Sequence, residues 1–334
     1  MKASSTIVRT IHPHTPEQET LANAAQRLRN GQLVAFPTET VYGLGANALN
    51  ADAVAAIYAA KGRPAANPII VHVADVEAAK QLTRFWPHEA DLLAEHFWPG
   101  PLTIVLPRSS QVPDIVTAGG PTVGIRVPGH PVALGLLQTA QIPLAAPSAN
   151  ASGEISPTCA EHVLRSLNGK IDLILDAGPT QVGLESTVVD LTTKPIRILR
   201  PGQITKADLE RVIGGSVEAA SSPATELRSP GMLPRHYAPR TAAECVPSET
   251  FEKRLNQLLN DGRRVGCLII ESSNAAARCQ LVKSLPNRPA DYAAGLYAAL
   301  HELDRFHLDR ILIEMPPAGD AWAAIHDRLR RATA

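Results

Sequence analysis

The sequence predicts an α/β protein with a twisted mixed sheet around a large concave cavity, followed by a smaller α/β domain. The 334 residues are enough for about two domains, each with its own core. In the first two hundred residues several strand patterns follow each other without a helix, which indicates a mixed rather than a purely parallel sheet. Many of the 28 prolines stand where strands end, which is typical of a loop-rich rim around a cavity.

The first domain is predicted to cover residues 8–214. Its first helix begins with Thr15, Pro16 and Gln18, the pattern of a capping box with proline in the first turn, and Gly31 ends it. Apolar β-branched runs predict strands, and apolar residues at helical spacing predict helices. Strands are expected at 33–36, 69–73, 102–106, 122–127, 144–146, 171–175, 187–191 and 196–199, and helices at 52–61 and 206–213, with two more between 73 and 98.

A second domain is predicted at residues 245–334, after a linker at 215–244 whose Ser, Pro, Ala and Gly show no sustained period. Its patterns are those of a small α/β domain. Helices are expected at 249–259, 275–285, 290–306 and 321–331, and strands at 265–270 and 310–314.

Composition argues against several classes of protein. Lys+Arg and Asp+Glu both number 32, so no overall charge draws the chain to nucleic acid or to a membrane. The N-terminus has no apolar segment and no apolar run reaches about 18 residues, so we expect a cytoplasmic protein without a membrane partner. The four cysteines are widely spaced with no C-x-x-C pair, which predicts plain thiols rather than a zinc site or a disulfide framework.

Familiar nucleotide and hydrolase motifs are misplaced or missing from the sequence. Gly43-x-Gly45-x-x-Ala48 matches the dinucleotide fingerprint, but Pro37 ends the preceding strand too early and no acid lies about 20 residues beyond Gly45. The sequence contains no G-x-x-x-x-G-K-[ST] loop and no G-x-S-x-G elbow. We therefore expect neither a P-loop nor a serine hydrolase.

Cations and small hydroxyls instead recur in loops at strand ends. Each has an ordinary explanation by itself, such as a helix stop at Lys61 and Arg63, a guanidinium that extends to the surface at Arg126, or a helix N-cap at Ser156. Together they suit a polyanion held without a P-loop, because cations offset phosphate charge while hydroxyls and backbone N–H groups bind single oxygens. The set is Lys61, Arg63, Arg126 and Arg200 with Thr40, Ser148, Ser156 and Ser186.

Six motifs in a fixed order resemble one protein family. The motifs are PTETVYGLG, KGRPAANPIIVHV, FWPGPLTIVL, VGIRVPGHP, APSANASG and GLESTVVDL. In this combination residues 8–214 resemble the YrdC-type threonylcarbamoyl-AMP synthase family, whose Lys-x-Arg and Ser-x-Asn motifs are matched by Lys61/Arg63 and Ser148/Asn150. The segment SPGMLPRHYAPRT and the α/β domain after it resemble the two-domain form of that family, so the fold implied is a YrdC-like mixed sheet with a Rossmann-like second domain.

The resemblance implies an enzyme that makes L-threonylcarbamoyladenylate and pyrophosphate from L-threonine, bicarbonate and ATP. The product serves the threonylcarbamoyladenosine modification of tRNA. The implied partners are therefore the downstream tRNA threonylcarbamoyl-transfer machinery and, as a further candidate, tRNA itself. Mg²⁺ is the expected cofactor, held mainly by the ATP phosphates because the sequence offers no carboxylate cluster.

The resemblance also implies roles for individual residues. Lys61 and Arg63 are the implied catalytic pair, with Lys61 close to the phosphates or the carbamate. Glu39 and Glu185 are interpreted as structural. The implied threonine ligands are Thr40, His72, Arg126, Ser186 and the backbone at Ala146, and the implied ATP ligands are Arg63, Asn67, Thr122, Ser148, Asn150, Ser156 and Arg200.

The spacing of Thr38, Thr40 and Tyr42 suggests one more feature of the pocket. Alternation in an extended segment would put the three side chains on one face, which we expect to line the threonine pocket. A ladder of hydroxyls on a solvated strand is the alternative.

The linker carries a second hypothesis. Residues 229–241 contain three prolines and the sequence RHY, which are unusual choices for a plain spacer. We expect this segment to close over the cavity as a lid, with His236 or Tyr237 on the nucleotide. A semi-rigid tether between the domains is the alternative.

Three other functions compete with a synthase. An RNA-binding module is opposed by zero net charge and 4% aromatic residues. A carbamoyl transferase of the hydrogenase-maturation type would need cysteine-rich zinc motifs that the sequence lacks. A nucleotide-binding regulator without turnover is opposed by the intact Lys61, Arg63, Ser148 and Asn150.

Overall fold

The computed structural model describes residues 5–219, 236–271 and 279–334. Within these ranges the strands form two sheets, and the predicted α/β class is confirmed. The strands of the first sheet are β1 (Ile7–Thr10), β2 (Val34–Phe36), β3 (Gly43–Asn47), β4 (Val71–His72), β5 (Leu102–Pro107), β6 (Thr122–Arg126), β7 (Leu144–Ala145), β8 (Leu173–Asp176), β9 (Thr187–Asp190), β10 (Ile196–Arg200) and β11 (Val217–Ala219). Those of the second are β12 (Ala243–Val246), β13 (Val265–Ile270), β14 (Leu281–Leu285) and β15 (Arg310–Glu314).

Helices connect most of these strands. The helices are α1 (Gln18–Arg29), α2 (Ala51–Lys61), α3 (Val76–Gln81), α4 (His88–Phe97), α5 (Asp114–Thr117), α6 (Pro131–Ala140), α7 (Ala160–Leu167), α8 (Lys206–Ile213), α9 (Ser248–Asn260), α10 (Pro289–Asp304) and α11 (Ala323–Ala332), with a 3-10 turn at Asp320–Trp322. Among the described residues no helix combines the length and apolar character needed to cross a membrane.

The first sheet is mixed, as predicted, with the strand order β1-β8-β2-β3-β7-β4-β6-β5-β9-β10-β11. β2 runs antiparallel to β3, with Val34 opposite Gly45. β4 runs parallel to β6, with His72 opposite Arg126. Since paired residues of neighbouring strands point to the same face, this register brings two predicted site residues together at one end of the sheet.

Helices cover both faces of the first sheet. Val34 and Phe36 share a core with α1 and α6 on one face, whereas Ala35 and Leu44 share a core with α2, α4, α7 and α8 on the other. The alternation along β2 follows from the two-residue period of a strand. Because each buried Val, Leu, Ile or Phe contributes about 1.5–3 kcal/mol, these two cores make the sheet a rigid base for the loops at its edge.

The second sheet is parallel and has the strand order β12-β15-β13-β14. Its helices α10 and α11 face the first domain. The His301 ring of α10 stacks on His162 of α7 with 3.8 Å between ring centroids. The domain boundaries at 214 and 245 remain predictions, and the strands β11 and β12 extend into the region predicted as linker.

Two element predictions are wrong. The capping box fails because α1 begins at Gln18 after an N-cap at Glu17, while the Thr15 hydroxyl bonds the His12 Nδ1 at 2.8 Å. The helix expected at 275–285 fails because Leu281–Leu285 is the strand β14, paired in parallel with β13. Residues 272–278 lie outside the described part of the chain. The first failure comes with a local bond to His12, and the second with the pairing of β14 with β13.

The expectation of four plain thiols is also wrong. Cys267 and Cys279 form a disulfide, whereas Cys159 and Cys245 are free. The pair is 12 residues apart in sequence, but the parallel pairing of β13 with β14 brings their Cα atoms to 6.2 Å. Sequence spacing did not reveal this because it depends on which strands become neighbours.

Candidate functional site

A narrow cleft lies between the loops that follow β2 and β7, the strands β4 and β6, and the residues just before β9 and at the end of β10. Its empty volume is about 500 Å³, of which the centre of a water molecule can reach only about 40 Å³. The cleft is lined by Thr38, Thr40, Val41, Gly43, Arg63, Ile70, His72, Arg126, Ala146, Pro147, Ser148, Glu185, Ser186, Arg200, His236 and Tyr237.

Arg126 is held at the end of β6 by three neighbours. Its Nε donates to the Gly100 carbonyl at 3.1 Å and its Nη1 to the Thr40 hydroxyl at 3.1 Å. The Nη2 lies 2.6 Å from Glu39 Oε1 as an ion pair, at an angle that makes no hydrogen bond. Burial, the largest effect, raises the pKa of the Glu39 carboxyl, but Arg126 and backbone hydrogen bonds from Gly129 and Glu39 together outweigh it, so the net shift is downward. Glu39 is therefore the partner that makes a buried arginine tolerable in this strand.

The segment after β2 is a turn and not an extended strand. The Thr38 hydroxyl donates to the Val41 carbonyl at 2.7 Å, and the Thr38 and Thr40 hydroxyl oxygens are 2.8 Å apart. Since Thr38 uses its one hydrogen on Val41, Thr40 donates to Thr38 and accepts from Arg126. One lone pair of Thr40 therefore remains.

Tyr42 does not share a face with the two threonines. Its ring belongs to the core under the sheet and its hydroxyl donates to the Gly178 carbonyl at 2.7 Å. The alternation argument is wrong for Tyr42 because the chain turns between Thr38 and Tyr42. Gly45 then lies in β3, where a Cβ would approach the Phe36 ring to 2.8 Å, so Gly45 serves strand packing rather than a dinucleotide turn.

Lys61 is buried behind the loop that carries Ser148. Its Nζ donates to the Ser148 carbonyl at 2.5 Å and to the Asn150 carbonyl. Burial first, and then the nearby Arg63, lower the pKa of Lys61 well below its ordinary value. The Asn150 amide donates to the Glu154 carbonyl at 2.8 Å. Lys61 and Asn150 therefore shape the Ser148 loop and do not line the cleft.

Arg63 lines the cleft just beyond α2. Its Nε donates to the Asn67 carbonyl at 3.2 Å and its Nη2 to the Pro68 carbonyl at 2.8 Å. Burial lowers the pKa of Arg63 to about 10, so the guanidinium stays charged at neutral pH. The side-chain amide of Asn67 is buried and makes no hydrogen bond within the described residues.

Ser186 and Arg200 form a second cationic wall. Arg200 donates from Nε to the Ser186 carbonyl at 3.1 Å and from Nη2 to the Ser186 hydroxyl at 3.0 Å. Thr103 completes the arrangement with its hydroxyl 2.8 Å from that of Ser186. Three guanidinium groups, those of Arg63, Arg126 and Arg200, therefore line one small cleft.

His72 contributes a neutral ring to the cleft. Burial first, and then Arg126, lower the pKa of His72 to about 3, so the imidazole is uncharged at neutral pH. Its Nδ1 is buried and makes no hydrogen bond within the described residues. The ring lies edge to face with Phe36, the centroids 6.4 Å apart.

A buried acidic group on the cleft wall was interpreted from the sequence only as structural. Glu185 Oε1 accepts a hydrogen bond of 2.5 Å from the Ser156 hydroxyl, and Glu185 Oε2 accepts one of 2.7 Å from Arg328 Nε. Tyr297 also donates to Glu185 Oε2, at 3.2 Å. Sequence reasoning missed Arg328 and Tyr297, because nothing local links α10 and α11 to a loop more than a hundred residues earlier.

His236 and Tyr237 belong to the wall of the cleft. Both side chains are buried, and neither the His236 Nδ1 nor the Tyr237 hydroxyl makes a hydrogen bond within the described residues. The backbone is anchored by His236 N to the Arg331 carbonyl at 3.2 Å and by Ala238 N to the Gly153 carbonyl at 2.9 Å. Of the proposed lid, residues 229–235 lie outside the described residues.

The structure thus brings most of the predicted site residues into one cleft. The exceptions are Lys61, Asn67, Thr122, Asn150 and Ser156. Ser156 is connected to the cleft wall by its hydrogen bond to Glu185. Lys61 and Asn150 are connected to it by the hydrogen bonds from Lys61 to the carbonyls of the Ser148 loop. Thr122 stands at the start of β6, four residues and about 13 Å from Arg126 along an extended strand. The roles of all these residues remain predictions.

Comparisons with known proteins agree with this arrangement. A family model described as telomere recombination matches residues 26–202, and one described as threonylcarbamoyl-AMP synthase, C-terminal domain, matches residues 204–334. A threonylcarbamoyl-AMP synthase of Pyrococcus abyssi is 44% identical, over 93% of this chain and 93% of its own. One of Bacillus subtilis is 46% identical, over 93% of this chain and 92% of its own.

A solved structure matches over both domains. The crystal structure of P. abyssi Sua5 complexed with L-threonine superposes with a TM-score of 0.92 at 41% identity, covering 98% of each chain. Since the second family model and relatives that are 44% and 46% identical over 93% of this chain carry the same assignment, the chain belongs to the threonylcarbamoyl-AMP synthase family.

Proposed function

We propose that the cleft between the loops after β2 and β7 and the strands β4 and β6 binds the substrates of this enzyme. Its reaction joins L-threonine, bicarbonate and ATP into threonylcarbamoyl-AMP and releases pyrophosphate, for the threonylcarbamoyladenosine modification of tRNA. The observation that carries the assignment is the set of three buried guanidinium groups with hydroxyls between them. Such a wall suits an anionic substrate pair.

Threonine is assigned to the side of the cleft formed by Thr40, His72 and Arg126. The carboxylate pairs with Arg126, whose Nη2 makes no hydrogen bond within the described residues and therefore has N–H groups to donate. The hydroxyl donates to the remaining lone pair of Thr40. Ser186 and the backbone at Ala146 complete the pocket, and the P. abyssi relative solved with L-threonine supports this choice of substrate.

ATP is assigned to the side formed by Arg63, Ser148 and Arg200. Ser156 lies on this side through its bond to Glu185. Asn67 and Thr122 are assigned to the nucleotide by their motif positions, and the unsatisfied amide of Asn67 supports a polar ligand there. Lys61 and Asn150 act through the Ser148 loop, because the ammonium group of Lys61 donates to the carbonyls of Ser148 and Asn150.

The reaction needs charge stabilisation and alignment more than a base. Threonine's amine and bicarbonate give a carbamate and water, and a carbamate oxygen attacks the α-phosphorus of ATP. The bond from that phosphorus to the bridging oxygen breaks, and pyrophosphate leaves with the electron pair. Charge builds on phosphate oxygens during this step, so fixed cations such as Arg63 and Arg200 stabilise the transition state.

Mg²⁺ is proposed to enter with the nucleotide. Among residues 5–219, 236–271 and 279–334 no three His, Cys, Asp or Glu side chains converge in a way that would hold a metal. Glu185 is the acidic residue on the cleft wall, and Arg328 and Ser156 already engage it. The donor set therefore fits an ion carried by phosphate oxygens and water, where it would screen the triphosphate charge.

We further propose that the product passes to a tRNA threonylcarbamoyl-transfer machinery in the cytoplasm, with tRNA a further candidate partner. Threonylcarbamoyl-AMP is a mixed anhydride that water hydrolyses, so a nearby acceptor system suits its chemistry.

The direct test is turnover. The purified chain is incubated with ATP, bicarbonate and each amino acid in turn, and pyrophosphate release is measured together with the mass of the adenylate. We expect release with threonine that depends on bicarbonate. Nucleotide binding without pyrophosphate release under these conditions would contradict the proposal.

Valine tests the pocket around Thr40. Valine has nearly the shape of threonine but no hydroxyl, so Thr40 would lose its donor at a cost of about 1–3 kcal/mol. We expect the kcat/KM for valine to be about tenfold to a hundredfold below that for threonine, measured by pyrophosphate release. Serine, which keeps the hydroxyl, is the control. Equal values of kcat/KM for valine and threonine would contradict the assignment of Thr40 to the threonine pocket.

A further inference from the structure

The second domain contains a cavity that the proposed function does not use. It lies at the carboxyl edge of the second sheet, where residues that follow β12, β13 and β15 line it, among them Ser248, Glu271 and Met315. The centre of a water molecule can reach about 660 Å³ of the cavity. Small-molecule sites have volumes of about 300–1,000 Å³, so the space is large enough for an organic ligand.

The connections of the sheet explain why a cavity forms at this place. Phe251 of α9, the helix after β12, shares a core with Leu312 on one face of the sheet. Ile325 of α11, the helix after β15, shares a core with Ile311 and Ile313 on the opposite face. Because β12 and β15 are neighbours, their chains leave the sheet in opposite directions and open a crevice beyond the strand ends. In open α/β sheets, ligands bind in such a crevice.

The lining of the cavity is acidic. Glu249, Glu252, Glu271 and Glu314 line it, and among the described residues of the lining there is no lysine or arginine. The amino end of α9 would favour an anion by itself, but Glu249 already stands in its first turn. The connection from β12 to α9 contains no glycine, whereas a glycine-rich turn is what lets a backbone approach a pyrophosphate. The cavity therefore suits a cation and not a nucleotide.

Glu314 is the most buried of these carboxyl groups, with 7% of its surface exposed. Its Oε2 accepts a hydrogen bond from Ile270 N at 3.0 Å, and its Oε1 accepts none within the described residues. His326 also lines the cavity, and its Nε2 donates to the Pro317 carbonyl at 2.9 Å, so the neutral ring can only accept at Nδ1. These two groups offer hydrogen-bond acceptors that a donor on a ligand would satisfy.

We infer that this cavity binds a small aliphatic cation with two ammonium groups. One ammonium group donates to Glu314 Oε1, and the other pairs with the exposed Glu249 and Glu252 of α9. The carbon chain between them packs on Ile270 and Met315. Among the described residues no three His, Cys, Asp or Glu side chains converge to hold a metal, so the carboxylates suit an extended cation rather than a single ion.

This inference is independent of the proposed function, because the cavity shares no lining residue with the substrate cleft. Met315 provides a local probe for the test. The chain has three methionines, so the full chain labelled with carbon-13 in its methionine methyl groups gives few signals, and Met315→Leu assigns the one from the cavity. The labelled chain is titrated at low salt with putrescine, a four-carbon diamine. Butylamine with one charge, butanediol with none and inorganic phosphate, an anion, are titrated in parallel.

We expect putrescine to shift the Met315 signal in a saturable way. It should bind at least about threefold more tightly than butylamine, because its second ammonium group adds an ion pair at the surface of α9. Glu314→Gln keeps an oxygen for the Ile270 N–H but removes the charge, so it should weaken the binding of putrescine at least about tenfold.

Two further variants complete the set. Glu249→Gln/Glu252→Gln should weaken the binding of putrescine about threefold, because both groups are exposed and each ion pair there is weak. Glu302→Gln is the matched control, since Glu302 belongs to the same domain, is 46% exposed and pairs with Lys283 outside the cavity. This control should bind putrescine like the unchanged chain.

The inference is overturned if putrescine does not move the Met315 signal at millimolar concentration, or if butanediol or phosphate moves it as strongly. Binding of putrescine by Glu314→Gln as tight as by the unchanged chain would overturn it as well. Should Glu314→Gln not fold, the Glu249→Gln/Glu252→Gln variant replaces it, and unchanged binding by that variant would have the same consequence. The readout does not involve pyrophosphate release, so a failure of the proposed function would leave this test intact.

Discussion

Alanine at position 126 is expected to raise the KM for threonine at least about a hundredfold and to leave that for ATP within about threefold. Arg126 is assigned to the substrate carboxylate, and each charged hydrogen bond contributes about 1.5–3 kcal/mol. Two such bonds correspond to about a hundredfold to a thousandfold or more in affinity. Calorimetric titration of the variant with threonine and with ATP separately checks the assignment.

The alanine variant also leaves Glu39 buried without its cation, which costs about 3–5 kcal/mol of stability by itself. Glu39→Gln/Arg126→Ala separates the two effects. The melting temperature of this double variant should recover, because no charge is buried without a partner. Its affinity for threonine should stay low, because the carboxylate of threonine still has no arginine to bind it. Arg63→Ala is the reciprocal variant. We expect it to weaken the binding of ATP at least about tenfold and to have little effect on the binding of threonine. Equal loss of both ligands in either variant would mean that the arginine supports the fold and not one substrate.

Patterns within short segments predicted the parts of this molecule that depend on local chemistry. The helix at Lys206–Ile213 has the predicted bounds, and Thr205 caps it with an Asp208 capping box. The strands Val265–Ile270 and Arg310–Glu314 also have the predicted bounds. In each, the apolar period and the turn residues that bound it agree with the tertiary structure.

Pairings between distant segments were not predictable in the same way. The partner of Glu185 is Arg328, and nothing in either segment alone identifies the other. Tyr42 shares the spacing of Thr38 and Thr40 but enters the core, since the chain turns between them. The disulfide between Cys267 and Cys279 likewise depends on the pairing of β13 with β14. In each example the deciding contact belongs to the fold and not to a local pattern.

The last prediction concerns residues 235–237. In this structure His236 and Tyr237 line a cleft in which the centre of a water molecule can reach only about 40 Å³. A nucleotide needs several times that space. We therefore expect this segment to rearrange when ATP enters and then to close over both substrates, with the His236 Nδ1 and the Tyr237 hydroxyl, which make no hydrogen bond within the described residues, in contact with them. A tether that only fixes the distance between domains would have neither property.

Replacing residues 235–237 by Gly-Ser-Gly should leave both domains folded and lower the yield of adenylate about a hundredfold or more. The backbone at Tyr237 has φ near +60°, which glycine adopts freely, so the replacement adds no strain. It removes the side chains that would exclude water from the labile carbamate and adenylate. Arg240→Ala is the control in the same segment, since Arg240 is 75% exposed and pairs with Glu154 outside the cleft.

Resistance to trypsin is a second measurement of whether the segment at residues 235–237 closes over the cleft. Tryptic cleavage after Arg235 should slow when ATP and threonine are both present, because a closed segment is cut less often than an open one. Either ligand alone should protect less, since closure completes the site only around both. Unchanged cleavage with both ligands, together with full adenylate yield from the Gly-Ser-Gly variant, would mean that the segment is a tether. Slower cleavage with ATP and threonine, combined with full adenylate yield from the Gly-Ser-Gly variant, would mean that the segment takes part in substrate binding but does not shield the intermediate from water.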